Sequence, residues 1–509
     1  MTTQHHGMSR FETLSKHCAD APLPPLAPTF GRIGPENPVS GNDPDGNAFN
    51  AESVTRALIA LTDEMRQTSG AEPEGPAEAG MTFFGQFVDH DVTFDATSEI
   101  GRLVSIGSIR NVRTPSLDLD CVYGAGPEAS PHLYHPDHGG FLLFGNAANP
   151  LDLARNQHGT ALIGDPRNDE NQVISQLQGA FVCLHNIVMT KVLDGDTELV
   201  GKMLAHVPAS ELAAMSAEQV AFQTARRACR LHYQWIILNG LLPAFVDADV
   251  LNSVKAKFDH GSLPHPFKDD SPVMPMEFSG AAYRFGHATV QSQYRLADGG
   301  PLFDLFQLGR AEFTHRPADR NIEFDQFFDV PGSAQAQKAR PVGTNLADAI
   351  YILPFVGSGF TVIDKMGGTF DVDTTQARKL PLRNMIRDRF TLQMASGQQI
   401  ARRMHVAELA APDTLKDHGI TKTPLWFYCL QEGNGHGGKL GPVGGTLVAT
   451  VLMRLLHLSP DSLPCSAPDF VPCPQLGAEA DGSYSMGHML RFVEQNRTHV
   501  AHASDLVTG

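Results

Sequence analysis

A chain of 509 residues, 42% hydrophobic and only 19% charged, has material for a large core and too little charge density for global disorder. Its formal charge of −17 excludes general binding to nucleic acid or to anionic membrane surfaces, because both need a basic face. No run of about 18 apolar residues and no secretory leader pattern are visible, so a soluble protein without a membrane span is expected. In chain order, residues 20–50 are rich in Pro, Gly and Asn and read as an extended arm laid over a domain. Helical spacing covers 52–66 and 80–90, whereas 100–160 is broken by Gly, Pro and Asp into loops. The clearest helix begins at Asp165-Pro166, an N-cap residue followed by proline in the first turn. Its apolar positions Val173, Leu177, Ala180, Leu184 and Ile187 share one face. A second long helix is predicted over 216–240, with others at 344–354, 396–409 and 444–456. Alternating strand patterns are few and no repeat is present, which gives a mainly α fold with long ordered loops and little β.

The seven cysteines are odd in number and lack CxxC or CxxCH spacing, excluding the usual zinc-ribbon and c-type haem patterns. Only Cys465 and Cys473 are close enough in a loop-like stretch to suggest a disulfide. Four clusters of polar residues stand out. In GQFVDHD, Gln86 and His90 are four apart and share a helix face, with Asp89 and Asp91 flanking the histidine. Phe83, Phe84, Phe87, Val88 and Phe94 make this segment too apolar for a surface helix, so its polar groups must find partners or ligands. In GDPRNDEN, Arg167 opposes the macrodipole at a helix N-terminus, which suggests a job beyond helix building; an Arg167–Glu170 ion pair on the surface is the plain alternative. In EFSGAAYRFGH, His287 lies in an aromatic-rich, buried setting, where a neutral imidazole is either a hydrogen-bonded core residue or an axial ligand. In TPSLDLDCVYG, Thr114, Ser116, Asp118 and Asp120 alternate and offer oxygens to a hard cation such as Ca²⁺, or are solvated loop acids. A further metal reading places zinc on His132, His135 and His138 of PHLYHPDHGG, although no acidic partner is evident there.

Taken in order, these clusters resemble the signature of the animal-type haem peroxidases of the peroxidase–cyclooxygenase superfamily, particularly their bacterial members. The resemblance runs from about Asn37 to Val493 and includes LIGDPRNDEN, AYRFGH, LPLRNMIRDR, ASGQQIA, TPLWFY and LGPVGG. It implies a haem peroxidase domain over 37–495, an N-terminal extension over 1–36 and a C-terminal tail over 496–509.

The resemblance also implies roles. His90 would be the distal base that moves the proton of hydrogen peroxide, and Arg167 would stabilise the charge developing as the O–O bond breaks and a ferryl haem forms. Gln86 would order water and halide. His287 would ligate the iron of haem b, with Asn384 accepting a hydrogen bond from its other nitrogen. Asp89 and Glu170 match the acids that form ester links to the haem in mammalian members, and Arg284 matches a position near the haem. Asn171 stands where some members have a methionine joined to the haem. Asp91, Thr114, Ser116 through its carbonyl, Asp118 and Asp120 match the family calcium site.

The implied activity is reduction of peroxide with oxidation of halide, thiocyanate or small phenolic donors. Two alternatives use the same scaffold: a fatty-acid dioxygenase, and a binding or adhesion protein with a silent site. In the dioxygenases a radical-forming tyrosine lies three residues before the proximal histidine, whereas Tyr283 lies four before His287.

Overall fold

The computed structural model describes residues 30–94, 99–105, 109, 111, 113, 115–268, 274–309 and 314–508. The mainly α expectation holds: sheet among these residues is limited to three two-stranded ladders, one parallel and two antiparallel. The part of the N-terminal arm that is described does more than lie over the domain. Phe30–Gly31 pairs in parallel with Met274–Pro275, and Phe30 and Ile33 are buried. The buried Glu277 carboxylate accepts from the backbone N–H groups of Ile33 and Gly34, so the arm is stitched to the segment that leads to His287.

Two helices build the centre. Gln172–Leu193 packs along Ala217–Ile236, and the first is buried on every side from Gln172 to Thr190. Its length and mean hydropathy of 1.3 would suffice to cross a membrane, but that apolar stretch is wholly covered by its own fold, as in a core helix. The Ala79–Val92 helix lies against it through a ladder of rings: Phe87 stacks on Phe181 at 5.0 Å, and Tyr233 meets both edge-on. An apolar helix that would be insoluble alone is thereby fixed at the centre, and it carries Gln86, Asp89 and His90.

The expected helix at Asp165 divides in two. Pro166–Asp169 is a 3₁₀ turn capped by the Asp165 carboxylate, which accepts from the N–H of Arg167. The long helix starts only at Gln172, capped by Asn171, whose Oδ1 accepts from the N–H groups of Val173 and Ile174. This break sets Arg167 on a tight turn beside the helix axis. The helix expected over 344–354 is absent except for the 3₁₀ turn Asp348–Tyr351, because Leu346 gives its N–H to the Met65 carbonyl and bridges Arg66, and Pro354 follows. The helix expected over 396–409 stops at Met404, where His405 turns left-handed at φ 57°. Those at 52–66, 80–90, 216–240 and 444–456 form as Ala51–Glu64, Ala79–Val92, Ala217–Ile236 and Pro442–Leu458. No disulfide joins Cys465 to Cys473: both are free thiols, the first exposed and the second buried.

Candidate active site

His90 is buried, and its Nδ1 lies 2.7 Å from Oδ1 of Asn168. The proton on that bond can be placed by following the amides. The Cys121 carbonyl can only accept, so it takes the Nε2–H of Gln178. Gln178 Oε1 then accepts from Asn168 Nδ2 at 2.8 Å, and Asn168 Oδ1 is left to accept from His90. His90 therefore carries its proton on Nδ1, and its Nε2 keeps a lone pair with no partner among the described residues. Burial, reinforced by the Arg167 charge, pushes the imidazole down to about 3, so it is neutral through the physiological range.

Arg167 is held by its own turn and by the Ala79–Val92 helix. Its Nε and Nη2 donate to the Asp165 carboxylate, with 2.7 Å at Nη2, and Nη2 also donates to the carbonyls of His90 and Thr93 at 3.0 and 2.8 Å. The guanidinium rests over Phe94, 4.4 Å from the ring centre. The surface pair with Glu170 is not made. Glu170 instead accepts from Gln86 Nε2, whose Oε1 accepts from Asn171 Nδ2 at 3.2 Å. Burial pushes the Glu170 carboxyl up to about 7, and it also raises Asp89, whose Oδ1 accepts from the Thr93 hydroxyl at 2.7 Å.

His287 opens the short helix Gly286–Thr289, directly after the 3₁₀ turn Ala282–Phe285. Its Nδ1 lies 2.8 Å from the side-chain amide of Asn384, which is fully buried in the Leu380–Ile386 helix. The Asn384 Oδ1 has no partner among the described residues, so the amide can turn to present either atom to the ring. Burial, with Arg284 and Arg387 nearby, pushes His287 down to about 3 as well.

Two bonds tie the segments carrying these histidines to one another: Thr82 Oγ1 to Thr289 Oγ1 at 2.8 Å, and the Tyr283 hydroxyl to the Gly85 carbonyl at 3.1 Å. Arg284 lies close enough to influence both Asp89 and His287. Gln86, Asp89, Arg167, Glu170, Arg284 and His287 are each partly exposed although most residues flanking them are buried. A Cβ added to Gly286, beside His287, would meet nothing within 4 Å. These residues are polar positions that keep partial exposure among buried neighbours. The set fits haem: a neutral imidazole ligand backed by an amide, a second imidazole with a free lone pair, two carboxyls and two guanidinium groups.

The carboxylates of Asp91, Asp118 and Asp120 bring ligand atoms within 4.8 Å of one another. Asp91 is fully buried, its Oδ1 has no partner among the described residues, and burial beside Asp120 and Asp118 raises its carboxyl well above the usual range. Oδ1 of Asp118 and Oγ of Ser116 are also buried without partners among the described residues. Thr114 lies outside the described residues. Leu117 and Leu119 are left-handed, at φ 53° and 62°, which folds the loop tightly around the acids. Arg113 bridges the two regions, reaching Asp120 at 3.4 Å and Asp165 at 2.7 Å, and Asp165 in turn holds Arg167.

Sequence reasoning overlooked Asn168, Gln178, Asp165 and Arg113. Asn168 and Asp165 flank Arg167 within GDPRNDEN, and a polar residue inside the otherwise apolar Gln172–Leu193 helix was the available signal for Gln178.

In fold the chain is similar to peroxidase A from Dictyostelium discoideum, with a TM-score of 0.57 and 15% identity over 86% of this chain and 89% of that one. It is also similar to a fatty acid alpha-dioxygenase from Arabidopsis thaliana, with a TM-score of 0.55 and 13% identity over 94% of this chain and 84% of that one. Both likenesses are of fold, and that fold is mostly helical. Residues 101–349 match the family model described as animal haem peroxidase. Among curated proteins, chorion peroxidase of Drosophila melanogaster is 30% identical over 87 residues; the match spans 17% of this chain and 11% of that protein.

Proposed function

We propose that the protein is a haem peroxidase that reduces hydrogen peroxide and oxidises halide, thiocyanate or a small phenolic donor. The observation that carries this reading is a pair of neutral histidines, buried His90 and partly exposed His287, each with Nδ1 against an asparagine amide and Nε2 without a partner among the described residues. Haem bound through Nε2 of His287 would supply the iron on which peroxide is cleaved and the oxidising equivalents that the donor consumes. His90, with a free lone pair on Nε2, would take a proton from hydrogen peroxide and return it to the departing oxygen. Arg167, fixed by Asp165 and two carbonyls, holds positive charge where negative charge develops. Gln86, held between Glu170 and Asn171, orients water or a halide. Asp89 and Glu170 are the carboxyls available for ester links to the haem, and Asp91, Ser116, Asp118 and Asp120, with Thr114, supply a calcium site.

The test is steady-state peroxide consumption by haem-loaded protein with iodide and with a phenol as donors. His90→Ala should lower the rate by about 10²–10⁴-fold, the usual worth of a positioned base, while haem remains bound. Equal rates in wild type and variant would remove His90 from the chemistry.

Oxygenation of a fatty acid is the second reading, favoured by the likeness in fold to the alpha-dioxygenase and by buried Tyr283 near His287. Against it, the Tyr283 hydroxyl donates to the Gly85 carbonyl, and Arg167 suits peroxide cleavage. Oxygenated products from linoleate under oxygen would favour this second reading, and their absence with active peroxide turnover the first.

A further inference from the structure

Apart from the residues around His90 and His287, a second set of side chains able to ligate a metal converges where the C-terminal segment returns to the 131–144 loop. His138 Nε2 lies 3.3 Å from Asp505 Oδ2, and the His502 ring stacks on His138 with centres 3.5 Å apart and planes 11° from parallel. One ligand atom from each of the three residues falls within 4.8 Å of the others. His132 and His135 do not take part: His132 is exposed on the Pro131–Leu133 turn, and His135 spends its Nδ1 accepting the N–H groups of Asp137 and His138. His135 instead backs the other face of His138, with ring centres 4.6 Å apart.

Simple packing accounts poorly for this arrangement. Two imidazoles face to face at a wet surface gain little dispersion, and they repel once both are protonated. His502 also adopts φ 58°, a left-handed conformation that non-glycine residues seldom take. The segment is already anchored without the rings, through Phe144 N–H to the Leu506 carbonyl at 3.1 Å and Arg155 N–H to the Thr508 hydroxyl at 3.0 Å. A shared cation would reward the convergence of the three side chains.

We propose that His138, His502 and Asp505 bind a divalent transition ion of the zinc class, stapling the C-terminal segment to the 131–144 loop. Two imidazole nitrogens and one carboxylate oxygen suit zinc, with a fourth position open to water, and do not suit calcium, which requires oxygen ligands. Tetrahedral zinc places its ligand atoms about 3.4 Å apart, given bonds of about 2.0–2.1 Å. The His138–Asp505 pair already meets that spacing, and His502, being exposed, closes the remainder by rotating its side chain.

Zinc titration of the untagged full-length protein, followed by calorimetry and by thermal melting, tests this. His502→Ala and Asp505→Asn are compared with wild type, and His132→Ala serves as a histidine lost from outside the site. All three positions are exposed, so the variants should fold. Wild type and His132→Ala should bind one zinc at this affinity and melt at a higher temperature with zinc. His502→Ala and Asp505→Asn should bind at least tenfold more weakly and lose that shift. Unchanged zinc binding in both of those variants, or no binding by wild type at micromolar zinc, would overturn the proposal.

Discussion

Asn384 and His287 are 97 residues apart in the chain, yet the asparagine amide lies 2.8 Å from Nδ1 of the imidazole. An iron ligand at Nε2 needs the proton on Nδ1, and an uncommitted buried amide can accept it with Oδ1. Asn384→Leu removes the acceptor at nearly constant volume. Haem should then be lost about 10–100-fold more readily, as measured by transfer to an apoprotein scavenger. Unchanged haem retention would mean that the amide does not orient the ligand.

The relay from the Cys121 carbonyl through Gln178 and Asn168 to His90 predicts an unusual pH profile. A base is lost when it is protonated, and burial has pushed His90 down to about 3. The rate of reaction with peroxide should therefore stay level from pH 7 to about 4, below the range of an ordinary histidine near 6.5. Arg167 contributes to this depression, so Arg167→Gln should move the acid limb upward as well as slow the reaction. A wild-type limb near 6.5 would contradict the assigned environment.

The proposed calcium site and the turn carrying Arg167 are joined through Arg113, which touches both Asp120 and Asp165. If calcium is held there, stripping divalent ions with a chelator would leave the acids around buried Asp91 with Arg113 as their nearby counter-charge. It should lower the melting temperature and slow the peroxide reaction together, with both restored by calcium. Arg113→Ala should cost about 3–5 kcal/mol of stability, because it leaves the buried Asp165 carboxylate with fewer partners. Chelation that leaves both stability and rate unchanged would count against a calcium site here.

Asp89 and Glu170 carry carboxyls raised by burial, the latter to about 7, and both residues keep partial exposure. If they form esters with haem during turnover, protein denatured after exposure to peroxide should retain haem mass. Asp89→Asn and Glu170→Gln should each remove one attachment, and together release all of it on extraction with acid and an organic solvent.

Much of this site was legible because chemistry-bearing residues are clustered in short strings. Gln86, Asp89 and His90 occupy one helix, and Arg167, Glu170 and Asn171 one turn, so local spacing brought each group together. The break between Pro166–Asp169 and Gln172–Leu193 was not legible, since proline at a first turn marks a 3₁₀ start as well as an α-helical one. The Gln178–Asn168 relay and the Arg113 bridge depend on how helices and loops pack, and no periodicity in the sequence encodes such contacts. The same limit explains the histidines of the 131–144 loop, where sequence offered three neighbours and folding instead joined one of them to His502 and Asp505.

The most direct test of the central claim is the absorption spectrum of haem-reconstituted wild type beside His287→Ala, recorded before and after peroxide. Wild type should show a Soret band that shifts when peroxide is added, and His287→Ala a band that is lost or altered. A wild-type protein that binds no haem, or a variant with the same spectrum and the same response, would contradict that claim.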